Sequence, residues 1–149
     1  MRFMIVVKAS PESEAGVMPS EQLIMVMQKF HEELARAGML LDASGLKPSS
    51  QGWRVEYSRG KAPRVVDGPF AETKELIAGY TIIQAKSRED ALDWTRRFPN
   101  PSPDGAGSAQ IEVRPFYELE DFAPGEAVEK FKELRSELEQ KKQQQQART

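Results

Sequence analysis

The run Val66-Asp67-Gly68-Pro69-Phe70-Ala71-Glu72-Thr73-Lys74-Glu75 sets a lone carboxylate directly before a turn. Asp67 has two readings. As a general base it must face a cleft with a raised pKa, ready to take a proton from a bound organic molecule. As the first residue of a tight turn, its carboxylate would accept backbone N–H bonds two residues on, a purely structural task. Gly68, Pro69 and Phe70 read as structural: backbone freedom, a fixed φ and an anchoring ring.

His31 is the single histidine, the one side chain whose ordinary pKa lies near neutrality. It falls at the edge of an apolar helical face, beside Met27. From there it either reaches a site, where it would pair with Asp67 for proton transfer, or sits at the boundary with a structural hydrogen bond. Lys74 and Glu75 read either as a solvated ion pair or as a charged lip that orients an anionic or hydroxylated ligand. Arg114, Tyr80 and Tyr57 are ligand-binding candidates, the arginine as a cation and the tyrosines as phenolic donors on an open sheet face.

Other chemistries find little support. With no cysteine, disulfides and thiol nucleophiles are excluded. One histidine leaves only carboxylates, and none is spaced like a metal site. Neither a glycine-rich phosphate loop nor a G-x-S-x-G elbow occurs, so no cofactor is expected. Net charge is -2 with a pI near 5.6, and Arg96-Arg97 reads as a solvated helix face. Without a basic stripe, nucleic acid is not an expected partner. Five apolar residues after Arg2 are too few for a signal sequence, and no run approaches a membrane span. The expected location is the cytoplasm.

A chain of 149 residues is the size of one ordinary domain. The near-continuous apolar run Phe3–Val7 predicts a buried central strand. Ser10–Gly16 reads as a loop, after which Ser20 caps a helix with Leu23, Met27, Phe30 and Leu34 on one face and Gly38 as its stop. Asp42–Leu46 reads as a strand broken at Pro48. Trp53–Tyr57 and Ala62–Val66 form a hairpin, with Asp67–Phe70 as a turn. Ile77–Ala85 is a β-branched strand. Ser87 starts a second helix carrying Ala91, Trp94, Thr95 and Phe98 inward, and Pro99 ends it. Ile111–Arg114 closes the order.

Without the hairpin, a βαββαβ unit remains: an α+β, ferredoxin-like fold with both helices on one face of an antiparallel sheet. An uncovered apolar sheet face is the structural reason to expect a homodimer or a small-molecule ligand. The domain is placed at residues 1–117, and residues 118–149 form a C-terminal helix and a flexible glutamine-rich tail. In that helix Pro124 suits the first turn, while Ala127, Phe131, Leu134 and Leu138 recur at helical spacing.

The Asp67–Phe70 motif stands with Phe30-His31-Glu32-Glu33-Leu34, Leu41-Asp42-Ala43-Ser44-Gly45-Leu46-Lys47-Pro48 and Ile111-Glu112-Val113-Arg114-Pro115. Together they resemble the YCII-related proteins of the DGPF branch, from about Arg2 to Pro115. The resemblance implies a ferredoxin-like fold assembled as a dimeric α/β barrel, with a cleft of mostly uncharacterised function. It also implies a regulatory association, because many relatives look like partners or neighbours of extracytoplasmic-function sigma factors. The wider group includes enzymes that use a His–Asp pair for proton-transfer elimination, such as removal of halide from a hydroxylated aromatic, in a different branch.

Overall fold

The computed structural model describes residues 1–148. The chain divides into two compact units, Met1–Pro115 and Phe116–Thr149. In chain order the first unit holds β1 (Arg2–Lys8), α1 (Pro11–Glu14), α2 (Glu21–Arg36), β2 (Leu40–Gly45), β3 (Trp53–Glu56), β4 (Arg64–Asp67), β5 (Ile77–Gln84), α3 (Arg88–Arg96) and β6 (Ile111–Pro115). The second unit contains α4 (Glu126–Gln146).

Four strands form one antiparallel sheet in the order β2-β5-β1-β6, and β3-β4 form a separate two-stranded sheet. With the hairpin set aside, this is the βαββαβ order, β5 lying between β1 and β2 and antiparallel to both. Strand β1 is central because Phe3 and Ile5 are buried on the helix side and Val6 is buried on the other.

Helix α2 begins where the Ser20 hydroxyl accepts the Leu23 N–H at 3.2 Å. It ends in a Schellman motif: Met39 N–H donates to Leu34 O at 2.9 Å and Gly38 N–H to Ala35 O at 3.0 Å. Gly38 sits at φ 71°, a conformation costly for any residue with a Cβ. The cap aims Met39 into the core beside Leu34. Helix α3 starts at Ser87, whose hydroxyl accepts the Asp90 N–H.

Phe3, Ile5, Phe30, Leu34, Met39, Ile83, Ala85 and Ala91 make the core, with Trp94, Phe98, Ile111 and Val113 packed against it. These positions come from α2, α3 and a single side of the sheet, so both helices cover the same face. Phe30 meets the rings of Trp94 and Phe98 edge-on, which ties α2 to α3. Full burial of a side chain such as Leu34 stabilises by about 1.5–3 kcal/mol.

Residues directly opposite on neighbouring strands share a face. On the side away from α2 and α3, one row therefore reads Asp42, Ile82, Met4, Arg114 and the next reads Ser44, Tyr80, Val6, Glu112.

Several local expectations shift. Ser10–Gly16 contains one helical turn, α1, closed by reciprocal Ser10–Ser13 hydrogen bonds. Strand β2 starts earlier than expected, at Leu40. Asp67 belongs to β4 rather than to a turn, since it pairs with Trp53 across the hairpin.

Within the second unit, Glu118 N–H donates to the Asp121 carboxylate at 2.7 Å, and the Tyr117 and Phe122 rings lie 5.4 Å apart. Helix α4 is capped at Gly125, so Pro124 lies just outside its first turn, and the helix continues through the glutamines to Gln146. Phe131, Leu134 and Leu138 are exposed on it.

Candidate functional site

The Asp67–Phe70 motif is fastened by residues distant in sequence. Gly68 N–H donates to Gly52 O at 3.0 Å. Phe70 N–H donates to the Ser49 hydroxyl at 3.1 Å, and that hydroxyl donates to Glu14 Oε2 at 2.5 Å. Ser49 N–H donates to Glu14 Oε1 at 3.1 Å. Ser49 thus uses its hydroxyl in both senses and joins α1, the turn at 49–51 and the motif. The approach is so close that a Cβ at position 68 would lie 1.9 Å from the Ser49 carbonyl oxygen, so only glycine fits. Sequence reasoning missed Glu14 and Ser49. Ser49 sits in a polar, proline-bounded run that signals only a break.

Asp67 itself is used by none of this. Its side chain is exposed and makes no hydrogen bond or ion pair among the described residues. Two residues on stands Pro69, which has no N–H, so the turn reading of this carboxylate has no donor to work with. The ladder pairs Trp53 with Asp67 and Val55 with Val65, which places these four side chains on one face of the hairpin. Trp53 is 66% and Val65 63% exposed. A free carboxylate therefore stands at the end of an exposed apolar strip. The opposite face carries Arg54, whose guanidinium lies 3.8 Å over the Phe70 ring, and Arg64, which reaches Glu56 at 2.7 Å.

His31 lies elsewhere. Its Nε2 is 2.8 Å from Thr81 Oγ1, and Thr81 is 2% exposed on the helix side of β5. Burial lowers the imidazole's pKa from its ordinary value, since the charged form is disfavoured where water is excluded. Within one chain, then, His31 bonds Thr81 and not Asp67.

Lys74 and Glu75 occupy a 3₁₀ turn just before β5, and both are exposed. Of their two readings, the ion pair between them is not formed among the described residues. Tyr80 and Arg114 do share the sheet face away from the helices, and the Tyr80 hydroxyl donates to Asp42 Oδ2 at 3.1 Å. Tyr57 does not join them. Strand β3 stops at Glu56 and pairs only with β4, leaving Tyr57 79% exposed on the hairpin.

Beside the motif opens a cleft of about 480 Å³. Leu46, Lys47, Arg54, Phe70, Leu76 and Ile77 are among its walls. Among the described residues, no group of three or more His, Cys, Asp or Glu is arranged to hold a metal ion. No helix among them is long and apolar enough to cross a membrane.

Sheet order, split βαβ units and an inserted hairpin define a ferredoxin-like α+β protein. Residues 1–117 match the model of the YCII-related domain, and the chain belongs to that family. An uncharacterized protein of Rhizobium meliloti (strain 1021) is 36% identical over 117 residues, covering 78% of this chain and 84% of the relative. Among solved structures, the chain is similar to 5-chloro-2-hydroxyhydroquinone dehydrochlorinase from Burkholderia phenoliruptrix AC1100 in complex with 2,5-dihydroxybenzoquinone. That likeness has 13% identity and a TM-score of 0.40, and it covers 78% of this chain and 94% of the other.

Proposed function

We propose that this chain is a cytoplasmic, homodimeric enzyme of the YCII-related family, in its DGPF branch, that moves a proton on a small organic molecule without a cofactor. Asp67 is the base. The observation that carries the reading is a carboxylate with no structural employment on a rigidly fastened motif. The segment around it is held by Ser49, Glu14 and Gly52, while Asp67 itself accepts nothing.

In a dimeric α/β barrel, a second chain laid over Trp53 and Val65 would exclude water from around Asp67 and the bound molecule. On the sheet face away from the helices, Arg114 supplies a cation for the ligand and the Tyr80 hydroxyl donates to it on leaving Asp42, while Lys74 with Glu75 form the charged lip. His31 is engaged with Thr81 and takes second place to Asp67.

The test is deuterium exchange into carbon acids and hydroxylated aromatics in D₂O, followed by proton NMR with wild type and Asp67→Asn. Exchange by the wild type, lost in a variant with an unchanged melting temperature, supports the assignment. Exchange that survives in Asp67→Asn, or no exchange with any compound, overturns it.

A second reading has one observation in its favour. Phe131, Leu134 and Leu138 are exposed on α4, as a surface for a regulatory protein would be. Under that reading the protein is a non-catalytic accessory to sigma-factor-dependent transcription, and truncation before Glu126 abolishes regulation while ligand binding persists.

A further inference from the structure

The cleft of about 480 Å³ beside the motif is not used by the proton-transfer reading. Asp67 does not line it, and Arg54, which does, lies on the opposite face of the hairpin from Asp67. Its charges are unevenly employed. The Glu14 carboxylate, the acidic group of the wall, already accepts both the hydroxyl and the N–H of Ser49. The two cations are not so engaged. Neither Lys47 nor Arg54 makes a hydrogen bond or ion pair through its side chain among the described residues.

The Arg54 guanidinium carbon instead lies 3.8 Å over the centre of the Phe70 ring. Its N–H donors are left unused, and a guanidinium can grip a carboxylate through two parallel bonds. The rest of the wall is mixed: Ser49 and Gln51 are polar, while Leu46, Leu76 and Ile77 are apolar, with Leu46 and Ile77 exposed although large and hydrophobic. A cleft of this size with apolar residues and a few convergent polar groups suits a small organic ligand.

We propose that this cleft binds a small carboxylate with an aromatic or branched aliphatic body. The Arg54 guanidinium and Lys47 Nζ hold the carboxylate, and Leu46, Leu76 and Ile77 cover the body. The apolar part of the wall selects against a bare inorganic anion, and the two free cations select against a neutral isostere.

The experiment is a ¹H–¹⁵N NMR titration of the full chain with benzoate, benzyl alcohol and inorganic phosphate. Benzoate shifts the amides of Gly52, Leu76 and Ile77 saturably with a Kd of about 1 mM, while benzyl alcohol and phosphate each bind at least tenfold more weakly. Lys47→Gln and Arg54→Gln each weaken benzoate severalfold. Arg54→Lys keeps the charge but not the fork, so it also weakens benzoate, and its spectrum shows whether the hairpin has stayed folded. Asp67→Asn leaves benzoate binding unchanged, which separates this site from the proposed catalysis. Equal binding of benzyl alcohol or of phosphate, or benzoate shifts that survive in Lys47→Gln and Arg54→Gln alike, overturns the proposal. So does the lack of any saturable shift at those amides.

Discussion

Replacing Gly68 by alanine places a Cβ 1.9 Å from the Ser49 carbonyl oxygen, 2.6 Å from its carbon and 3.3 Å from Ser50 N. All three are backbone atoms, so no side-chain rotation relieves the clash. The 3₁₀ turn Ser49–Gln51 must move away from the motif. That movement breaks the Gly68–Gly52 and Phe70–Ser49 hydrogen bonds. Each is worth about 1 kcal/mol net. Residual overpacking adds about 1–3 kcal/mol, for a sum of about 3–5 kcal/mol. For a unit of this size that corresponds to a fall in Tm of about 12–20 °C, if the loss is felt globally. A hairpin can also open by itself. The assay therefore combines thermal melting with amide hydrogen exchange at the β3-β4 rungs, Arg54–Val66 and Val55–Val65. Gly52→Ala is the control. Its Cβ would lie 3.7 Å from the same oxygen at an ordinary φ of -117°, so it stabilises by about 0.4–1 kcal/mol. A Gly68→Ala protein that melts within about 2 °C of wild type with its hairpin amides still protected would refute the reasoning.

Ser49→Ala deprives Phe70 N–H of its acceptor and Glu14 of a donor, and is expected to cost about 1–3 kcal/mol in denaturant unfolding. A double-mutant cycle with Glu14→Gln then gives a coupling of about 0.5–3 kcal/mol, because the two share one network. For His31, burial sets the folded-state pKa below 6.5, so the unfolded chain takes up protons first as pH falls. The stability that rests on neutral His31 is complete above pH 6.5 and is lost as pH drops toward the folded-state pKa. The Tm advantage of wild type over His31→Gln therefore narrows between pH 8 and pH 5, and a gap that stays constant or widens contradicts the placement of His31 against Thr81.

The sheet and its helices are legible in the sequence because their signals are periodic. Phe3–Val7 and Ile77–Gln84 announce buried strands, and the spacing of Leu23, Met27, Phe30 and Leu34, with Ser20 and Gly38 at the ends, announces α2. What escapes is the long-range chemistry. The Glu14–Ser49 bonds span 35 positions, and no local pattern encodes a contact of that reach. Asp67 misleads because Asp-Gly-Pro is a common turn sequence, yet the residue after next lacks the N–H that an aspartate turn needs. Tyr57 follows Trp53 and Val55 in the alternation, but alternation cannot say which sheet a strand joins or where it ends, and β3 stops at Glu56 and pairs only with β4. Arg54 is the polar alternate between Trp53 and Val55, and that alternation does not encode its place over the Phe70 ring.

The chain leaves the main sheet after Gly45 and returns to it at Ile77, two residues before Gly79, which pairs directly with Gly45. Leu46 N–H closes the exit on Ala78 O at 2.8 Å. The hairpin and the Asp67 motif lie between these residues, and the Glu14–Ser49 bonds tie that excursion back to α1. Because the ends of that excursion are already together, changing its length costs only a logarithmic increment of closure entropy. The scaffold can therefore keep its four strands while the intervening segment is exchanged as a cassette, and a graft of a relative's residues between Gly45 and Gly79 should carry that relative's ligand preference with it.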